Sequence, residues 1–410
     1  MIRLTRRQFG AGLIAATAPK LVVTKLFGKT SIDDTLRQGI ANRKIPCVTA
    51  MVASADKIIY TGAFGTRDAA SGMAVKPDSM FAIASMTKAI TSTAAMQLVE
   101  QGKVTLDEPV SKHLPELAKL EVLEGFDSAG KPILRPARKQ VALKHLLTHT
   151  SGFAYDTWDG NMLKYNMLHP QPPGTVAPLT PLIFEPGTRW QYGTGLDWSG
   201  KLVEKISGQT LEAYFQANIL RPLGMKDTTF VFPAEKFERL VSAYSRQDDG
   251  TLKQNPRNMP VPPKAFNGGG GLFSTVGDYT RFTQMILRKG RGPGGEQILQ
   301  AKTVELMSTN QTGNSQAGKL KSFRPAVSSD VDLHPGASDR YTYGFLLNPT
   351  SYEGGRSAGS LAWAGIDNTF YWIDPRKGIC ATIMMQFLPF VDKEAVGLLS
   401  DFEKAVYANL

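Results

Sequence analysis

Strand-like segments at the two ends of the chain constrain its fold more than any other feature. Near the start, IPCVTAMVASADKIIYTGAFG has the pattern of a strand meander broken by turn residues, and four short β-type runs follow one another between residues 341 and 387. From Ser85 to about Leu223 the periodicity is mainly helical. These patterns predict an α/β (α+β) fold: an antiparallel sheet built from both termini and flanked by helices, with a mainly helical insertion.

The same patterns divide the chain into a leader, a sheet domain and an insertion. The leader covers residues 1–30, the sheet domain combines 31–84 with about 265–410, and the insertion spans about 85–264. Within these units we predict helices at 31–44, 276–288 and 392–410, long loops at 124–137 and 168–188, and irregular structure at 225–265.

Positive charge is concentrated before the first acidic residue, Asp33. The chain has a formal net charge of +11, and six basic residues precede Asp33, so the remaining body carries +5. No basic stripe interleaved with aromatic residues follows, and nucleic-acid binding is therefore not expected. A hydrophobic fraction of 42% is that of an ordinary globular protein.

The N-terminal segment Thr5-Arg6-Arg7-Gln8-Phe9-Gly10 resembles a twin-arginine export signal. A short, weakly apolar stretch, GAGLIAATA, follows it. We therefore predict a bacterial protein exported to the periplasm, with a disordered basic tail as the alternative. Pro19 should hinder cleavage after Ala18, so the leader is either cut elsewhere or retained as a tether. Beyond it, no run of about 18 apolar residues predicts a membrane-spanning helix.

Cys47 and Cys380 are the two cysteines, and each lies in an apolar, strand-like run. We predict two buried free thiols, while an oxidising compartment would permit one disulfide between them. Two cysteines so far apart make no zinc motif.

Two Ser-x-x-Lys strings occur, and their contexts separate them. Ser85-Met86-Thr87-Lys88 opens a predicted helix, where residues three apart share a face, so the hydroxyl and the amine can touch. A lysine amine can then act as the base that a serine nucleophile needs. Ser54 and Lys57, in contrast, lie in a predicted hairpin turn. The helix after Ser85 is predicted to carry an apolar stripe, with Ser85, Lys88 and Ser92 on another face.

Two other motifs are rejected on their context. Gly355-Arg356-Ser357-Ala358-Gly359 matches the G-x-S-x-G nucleophile elbow, but no histidine follows Ser357 to complete that triad in chain order. His145 and His149 stand at a helical spacing that suits a metal, but no third ligand accompanies them. A glycine loop and a helix end with a turn at Ser151-Gly152 are the better interpretations, and no metal is proposed.

Acyl transfer also needs a group that moves protons, and donors for the developing oxyanion. The first N–H groups of a helix lack intrahelical partners, so the N–H of Ser85 is one candidate donor. Tyr192, in GTRWQYGTGLDWSG, is a candidate proton shuttle, although alone it is more simply a half-buried aromatic residue beside Trp190 and Trp198.

Six ordered motifs carry a family resemblance. In chain order they are FAIASMTK, LLTHTSGF, FEPGTRWQY, LRPLGMKDTTF, GGGGLFSTVGDYTRF and YGFLLN. Over roughly residues 31–410 they closely resemble the serine β-lactamase superfamily of the class C and D,D-peptidase type. The runs VLEGFDSAGKPILR and YGTGLDWSGKLVEKISG point to its branch of family VIII carboxylesterases and the lovastatin-pathway acyltransferase.

The resemblance implies a role for each matched position. Ser85 would become acylated, and Lys88 would share its proton. Tyr192 would be the general base in acylation, protonate the departing alkoxide and help activate water for deacylation. The family's third motif falls at Trp363-Ala364-Gly365, and the N–H of Ile366 would then be the second oxyanion donor. His334-Pro335-Gly336 also mimics this motif but precedes YGFLLN, where the family places the motif afterwards.

Two departures from the family pattern bear on the substrate. Thr194 replaces the amide of Tyr-x-Asn, and Trp363 replaces a lysine suited to a β-lactam or peptide carboxylate. A neutral aromatic residue there favours an apolar acyl or alkoxy group. Loops 155–188 and 310–340 are expected to shape the pocket.

We therefore predict an esterase-type serine hydrolase that acts on a small-molecule ester through an acyl-enzyme and needs no metal or organic cofactor. A β-lactamase or D,D-peptidase is one alternative, and an acyltransferase to an acceptor other than water is another. A non-catalytic penicillin-binding sensor is the alternative outside the enzymes.

Overall fold

The computed structural model describes residues 31–410, and the predicted leader at residues 1–30 lies outside the described residues. The helices of the described part are α1 (Ile32–Arg43), α2 (Thr87–Glu100), α3 (Leu143–Leu147), α4 (Gly160–Leu168), α5 (Gly195–Ser207), α6 (Leu211–Phe215), α7 (Val276–Leu287), α8 (Ala301–Met307) and α9 (Lys393–Ala408). The strands are β1 (Cys47–Ser54), β2 (Ile58–Asp68), β3 (Met73–Ala74), β4 (Phe81–Ala82), β5 (Glu121–Phe126), β6 (Pro132–Pro136), β7 (Tyr244–Arg246), β8 (Leu252–Gln254), β9 (Phe273–Ser274), β10 (Lys319–Leu320), β11 (Val331–Asp332), β12 (Arg340–Tyr341), β13 (Leu346–Asn348), β14 (Ser360–Gly365), β15 (Thr369–Asp374), β16 (Ile379–Met384) and β17 (Phe387–Leu388).

An eight-stranded antiparallel sheet organises the molecule, in the order β12-β13-β14-β15-β16-β1-β2-β3. The N-terminal strand β1 pairs with the C-terminal strand β16, so that Thr49 lies opposite Met384. The two ends of the chain thus meet in the middle of one sheet, which confirms the predicted fold. Ser54 and Lys57 stand at the turn between β1 and β2, where the N–H of Ser54 donates to the carbonyl of Lys57.

Helices cover both faces of this sheet. Successive side chains of a strand point to opposite faces. In β15, Tyr371 packs on Tyr279 of α7, while its neighbour Trp372 packs on Phe402 of α9. Every residue of β14, β15 and β16 is consequently buried, and these strands are apolar on both faces.

Helix α2 is buried on all sides. Its residues from Thr87 to Leu98 are all buried, so the side that carries Lys88 and Ser92 is packed against protein as closely as the apolar stripe is. Two of its buried hydroxyls donate to carbonyl groups: Thr91 Oγ1 donates to Gly268 O at 2.6 Å, and Thr93 Oγ1 donates to Ala89 O at 3.0 Å. These bonds allow a helix rich in Ser and Thr to be packed from every direction.

The segment predicted as a helical insertion also contains β-structure. Strands β5 and β6 form a hairpin where a loop was predicted over 124–137, so that prediction is wrong. Pro132 and Pro136 suggested the loop, but they stand at the first and last positions of β6, where a missing N–H is tolerated. Strands β7 and β8 form a second hairpin within 225–265, where irregular structure was predicted. The boundaries of the sheet domain and the insertion stay a prediction.

Both cysteines are buried and free, Cys47 in β1 and Cys380 in β16. Burial raises the pKa of each thiol to about 12, so both are protonated at neutral pH. The prediction of two buried free thiols is confirmed, and the alternative disulfide is absent from this part of the chain.

Candidate active site

Ser85 lies in the 3₁₀ turn Ala84–Met86, which leads directly into α2. Ala84 adopts a left-handed backbone conformation, with a φ of 42°. Strand β14 packs against this turn, and a Cβ atom on Gly365 would meet the carbonyl oxygen of Ile83 at 2.4 Å. Glycine at position 365 therefore allows the strand to approach the Ser85 turn closely. The Ser85 side chain is half-buried.

Lys88 is wholly buried, one turn further along. Its Nζ lies 3.1 Å from Ser85 Oγ, 3.1 Å from the Tyr155 hydroxyl and 2.5 Å from Gly269 O. Between residues 31 and 410, no carboxylate oxygen lies within 4.0 Å of this nitrogen. The structure thus brings the Ser85 hydroxyl and the Lys88 amine into contact, and it holds the amine with two further oxygen atoms.

Three residues around Lys88 were not singled out from the sequence: Tyr155, Asp197 and Gly269. Asp197 lies in the first turn of α5, where its Oδ1 accepts from the N–H of Gly269 at 2.8 Å and its Oδ2 accepts from the Tyr155 hydroxyl at 3.4 Å. Burial, and next the charge of Asp197, raises the pKa of Tyr155 well above its usual value, so the phenol is protonated at neutral pH. Burial also raises the pKa of Asp197, while Lys88 opposes that rise.

Tyr192 approaches Lys88 through its ring, whose centre lies 4.8 Å from Nζ. Its hydroxyl accepts a hydrogen bond from the indole N–H of Trp363 at 3.3 Å. The ring packs against Trp158, Trp363 and His149, with centroid distances of 5.2, 5.0 and 4.7 Å. In the described residues Tyr192 makes no hydrogen bond to Ser85, but the two side chains line the same pocket.

A narrow apolar pocket opens on Ser85. It encloses about 390 Å³, counted to its open mouth, and no charged side chain from the described residues lines it. Besides Ser85 and Tyr192, the lining residues are apolar or glycine: Trp158, Gly318, Leu320, Val331, Leu333, Leu346, Trp363, Ala364, Ile366 and Phe390. Five of them belong to the two loop segments that the sequence predicted to shape the pocket.

Of the two remaining predicted site residues, Ile366 lines the pocket and Thr194 does not. Ile366 directly follows β14 and lines the pocket, and its backbone N–H makes no hydrogen bond to any group in residues 31–410. That N–H is free to receive an oxyanion. Thr194 is buried at the start of α5 and does not line the pocket, and its Oγ1 has no hydrogen-bond partner within the described chain.

The residues of the rejected motifs make hydrogen bonds that involve backbone groups or lie outside the pocket. The N–H of Ser357 donates to Asp374, and Ser357 does not line the pocket. His145 Nδ1 accepts from the N–H of Ala142, and His149 Nδ1 accepts from the N–H of Gly193. His334 is hydrogen-bonded to Asp339 and does not line the pocket, whereas Trp363 lines it and donates to the Tyr192 hydroxyl.

Comparisons with known proteins agree with the fold and with the family resemblance of the motifs. The Beta-lactamase family profile matches residues 32–403. Monacolin J acid methylbutanoyltransferase from Aspergillus terreus is 31% identical, with 92% of this chain and 95% of that protein covered. Lovastatin esterase from Penicillium rubens is 30% identical, with 92% and 98% covered. The structure of simvastatin synthase from Aspergillus terreus, in its LovD6 mutant, matches with a TM-score of 0.79 at 32% identity, covering 92% of this chain and 94% of that one.

The chain therefore belongs to the β-lactamase family, as the resemblance of its motifs implied. It is an enzyme of the serine-hydrolase type within that family. The relatives named above are fungal and lend no support to the predicted bacterial export signal. Within residues 31–410, no helix is long and apolar enough to cross a membrane.

Proposed function

We propose that the chain is an esterase-type hydrolase that forms an acyl-enzyme on Ser85. The single observation behind this proposal is the 3.1 Å contact between Ser85 Oγ and the buried Nζ of Lys88, at the wall of a pocket without charged side chains. A serine hydroxyl needs a neighbouring base to become a nucleophile. Across residues 31–410, Lys88 is the one basic group hydrogen-bonded to Ser85.

In acylation, Ser85 Oγ attacks the ester carbonyl carbon while its proton passes to Lys88 Nζ. This differs from the family resemblance, which implied Tyr192 as the base, because Ser85 is hydrogen-bonded to Lys88 and, in the described residues, not to Tyr192. The carbonyl oxygen becomes an oxyanion between the backbone N–H groups of Ser85 and Ile366. Tyr192 gives a proton to the departing alkoxide as the ester C–O bond breaks, which leaves the acyl-enzyme with Tyr192 as a phenolate and Lys88 as an ammonium. In deacylation, water gives a proton to the Tyr192 phenolate as its oxygen attacks the acyl carbon, and Lys88 returns its proton to Ser85 Oγ as the bond between Ser85 and the acyl group breaks.

The two tyrosines near Lys88 are suited to different tasks. Tyr155 does not line the pocket, and its hydroxyl is occupied by Lys88 and Asp197. Tyr192 lines the pocket beside Ser85, and the indole N–H of Trp363 occupies one side of its oxygen, so the Tyr192 proton points away from the indole. We therefore assign the transfer to the leaving group to Tyr192.

The pocket favours an ester with an apolar acyl or alkoxy group. Trp158, Trp363 and Phe390 present aromatic surface, and no cation among the lining residues could hold a carboxylate. A β-lactam or a D,D-peptide carries such a carboxylate, which makes the lactamase and peptidase alternatives less suited to this site.

We expect the protein to hydrolyse p-nitrophenyl esters from acetate to octanoate with a kcat/KM at least about 10²-fold above that for a chromogenic cephalosporin, because a carboxylate entering this pocket would lose its hydration without a partner. Initial rates with both substrates and one enzyme preparation provide the measurement. Efficient cephalosporin turnover with negligible ester hydrolysis would overturn the esterase proposal.

Transfer to an acceptor other than water is the second candidate function, because the transferase relative aligns with 92% of this chain. Product analysis with added alcohols distinguishes the two: a new ester that forms at the expense of the free acid favours the acyltransferase. A sensor would instead hold its Ser85 adduct indefinitely, which intact-mass time courses would reveal.

Tyr192→Phe is expected to lower kcat for ester hydrolysis by about 10²-fold, since it removes the group proposed to protonate the leaving alkoxide. The loss should shrink as the leaving phenol becomes more acidic, because an acidic phenol departs without a proton. Rates for a series of substituted phenyl esters check both points. Tyr343→Phe, a buried tyrosine that does not line this pocket, is the control. Equal losses for all leaving groups would contradict the assignment.

Export through the twin-arginine motif also stays a proposal. Fusing residues 1–30 to a reporter protein that folds before export would test it, and replacing Arg6 and Arg7 by Lys should abolish export if the proposal is right.

A further inference from the structure

The Lys88 amine has three hydrogen-bonding directions, and each is occupied by a different oxygen. Acylation uses the neutral form of this amine, because only that form can accept a proton, and it has two N–H bonds and one lone pair. Gly269 O is a carbonyl oxygen and only accepts, so it fixes one N–H of Lys88. The Tyr155 and Ser85 hydroxyls each lie 3.1 Å away, and either one could donate to the lone pair. Acylation needs the lone pair to face Ser85.

The proton of Tyr155 decides between these two arrangements. Its hydroxyl has a single proton, and its two partners in the described chain are Lys88 Nζ and Asp197 Oδ2. A carboxylate accepts and does not donate. While Tyr155 donates to Asp197, it can only accept from Lys88, and the lone pair of the amine is left for Ser85.

Asp197 is held firmly in this orientation. Its other oxygen, Oδ1, accepts the N–H of Gly269, the residue whose carbonyl binds Lys88. The approach is close, because a Cβ on Gly269 would lie 2.5 Å from Asp197 Oδ1. The carboxylate is 3% exposed and forms no ion pair within 4.0 Å among residues 31–410. No direct cationic partner therefore offsets the free-energy cost of burying this charge.

We infer that Asp197 is a positioning residue that, by holding the proton of Tyr155, directs the lone pair of Lys88 at Ser85. This inference rests on the proposed acyl-enzyme function of Ser85 and Lys88. A purely structural role would instead treat Asp197 as an acid in the first turn of α5, where a negative charge stabilises any helix.

The two roles predict different behaviour for Asp197→Asn. The amide oxygen can keep the bond to the N–H of Gly269, which turns the amide NH₂ toward Tyr155. Tyr155 must then accept from the amide, and its proton turns to the lone pair of Lys88. We expect the acylation rate to fall by about 10²-fold or more, because the base is then blocked. Tyr155→Phe removes the competing proton and should cost only about 10-fold.

The decisive variant combines both substitutions. In Asp197→Asn/Tyr155→Phe no hydroxyl is left to block the amine, so the double variant should acylate about 10-fold faster than Asp197→Asn alone. Acylation is measured as the burst of p-nitrophenol and as the Ser85 adduct by intact mass, with thermal unfolding recorded for each variant. A structural role would not produce rescue by a second substitution.

Asp278→Asn is the matched control. Asp278 occupies the same position in α7, three residues after a threonine N-cap, and is 7% exposed, but it contacts Asp227 and Thr228. It should change stability without changing acylation. If the reductions in acylation rate of the two single variants simply multiply in the double variant, the inference is overturned. Acylation of Ser85 in the wild type would still uphold the proposed function. A wild type that never acylates Ser85 would overturn both.

Discussion

Ser85→Ala is expected to lower kcat for ester hydrolysis by at least about 10³-fold and to abolish the covalent adduct, because no other hydroxyl can replace the nucleophile. The Ser85 side chain is half-buried, and its one hydrogen bond in the described chain goes to Lys88, so the substitution should leave the fold intact. Steady-state rates, intact mass after reaction with a phosphonate ester and thermal unfolding together provide the measurement.

Two serines serve as controls for this result. Ser54→Ala removes the serine of the second Ser-x-x-Lys string, which lies in the turn between β1 and β2, and should keep the wild-type rate. Ser357→Ala removes the serine of the G-x-S-x-G string and should also keep it. A Ser85→Ala enzyme with the wild-type rate would show that the nucleophile is a different residue.

Most of the fold could be predicted because its signals are local along the chain. The apolar runs of β14, β15 and β16 and the turn at Ser54 are each contained in a few consecutive residues. Pairing of the two ends was predicted from strand-like runs at both ends of the chain with helices between them. The β5–β6 hairpin was missed because its prolines are loop signals everywhere except at strand ends.

The site was less predictable than the fold. Ser85 and Lys88 stand three residues apart, so their contact is encoded locally. The contacts of Lys88 with Tyr155 and Gly269 span 67 and 181 positions, and no periodicity reports such distances. An acidic residue such as Asp197 is common in the first turn of a helix, so nothing in the local sequence indicated its contact with Tyr155.

Lys88→Met is expected to lower kcat by about 10³-fold or more, because Ser85 loses the base that takes its proton. Lys88→Arg should be equally inactive, since a guanidinium does not give up its proton in proteins and so cannot accept one from serine. Lys57→Met, which removes the lysine of the other string, is the control and should keep the wild-type rate. The same burst and steady-state measurements check all three variants.

The stability of Lys88→Met should also acquire a particular pH dependence. Burial raises the pKa of Asp197, and the charge of Lys88 is the first of the interactions that oppose this rise, so removing Lys88 raises that pKa further. A carboxyl whose pKa is higher in the folded chain than its unfolded value of about 3.9 makes the folded state bind more protons. Stability is then lost as the pH rises from the unfolded pKa to the folded pKa.

We therefore expect the free energy of unfolding of Lys88→Met, relative to wild type, to be lower at about pH 8 than at about pH 5. Adding Asp197→Asn to Lys88→Met should remove this difference, because the amide does not titrate. Denaturant unfolding of the wild type, the single variant and the double variant at both pH values measures the effect. The same pH dependence in wild type and Lys88→Met would show that Lys88 does not stabilise the buried charge of Asp197, and that the two groups are joined only through the hydrogen bonds of Tyr155 and Gly269.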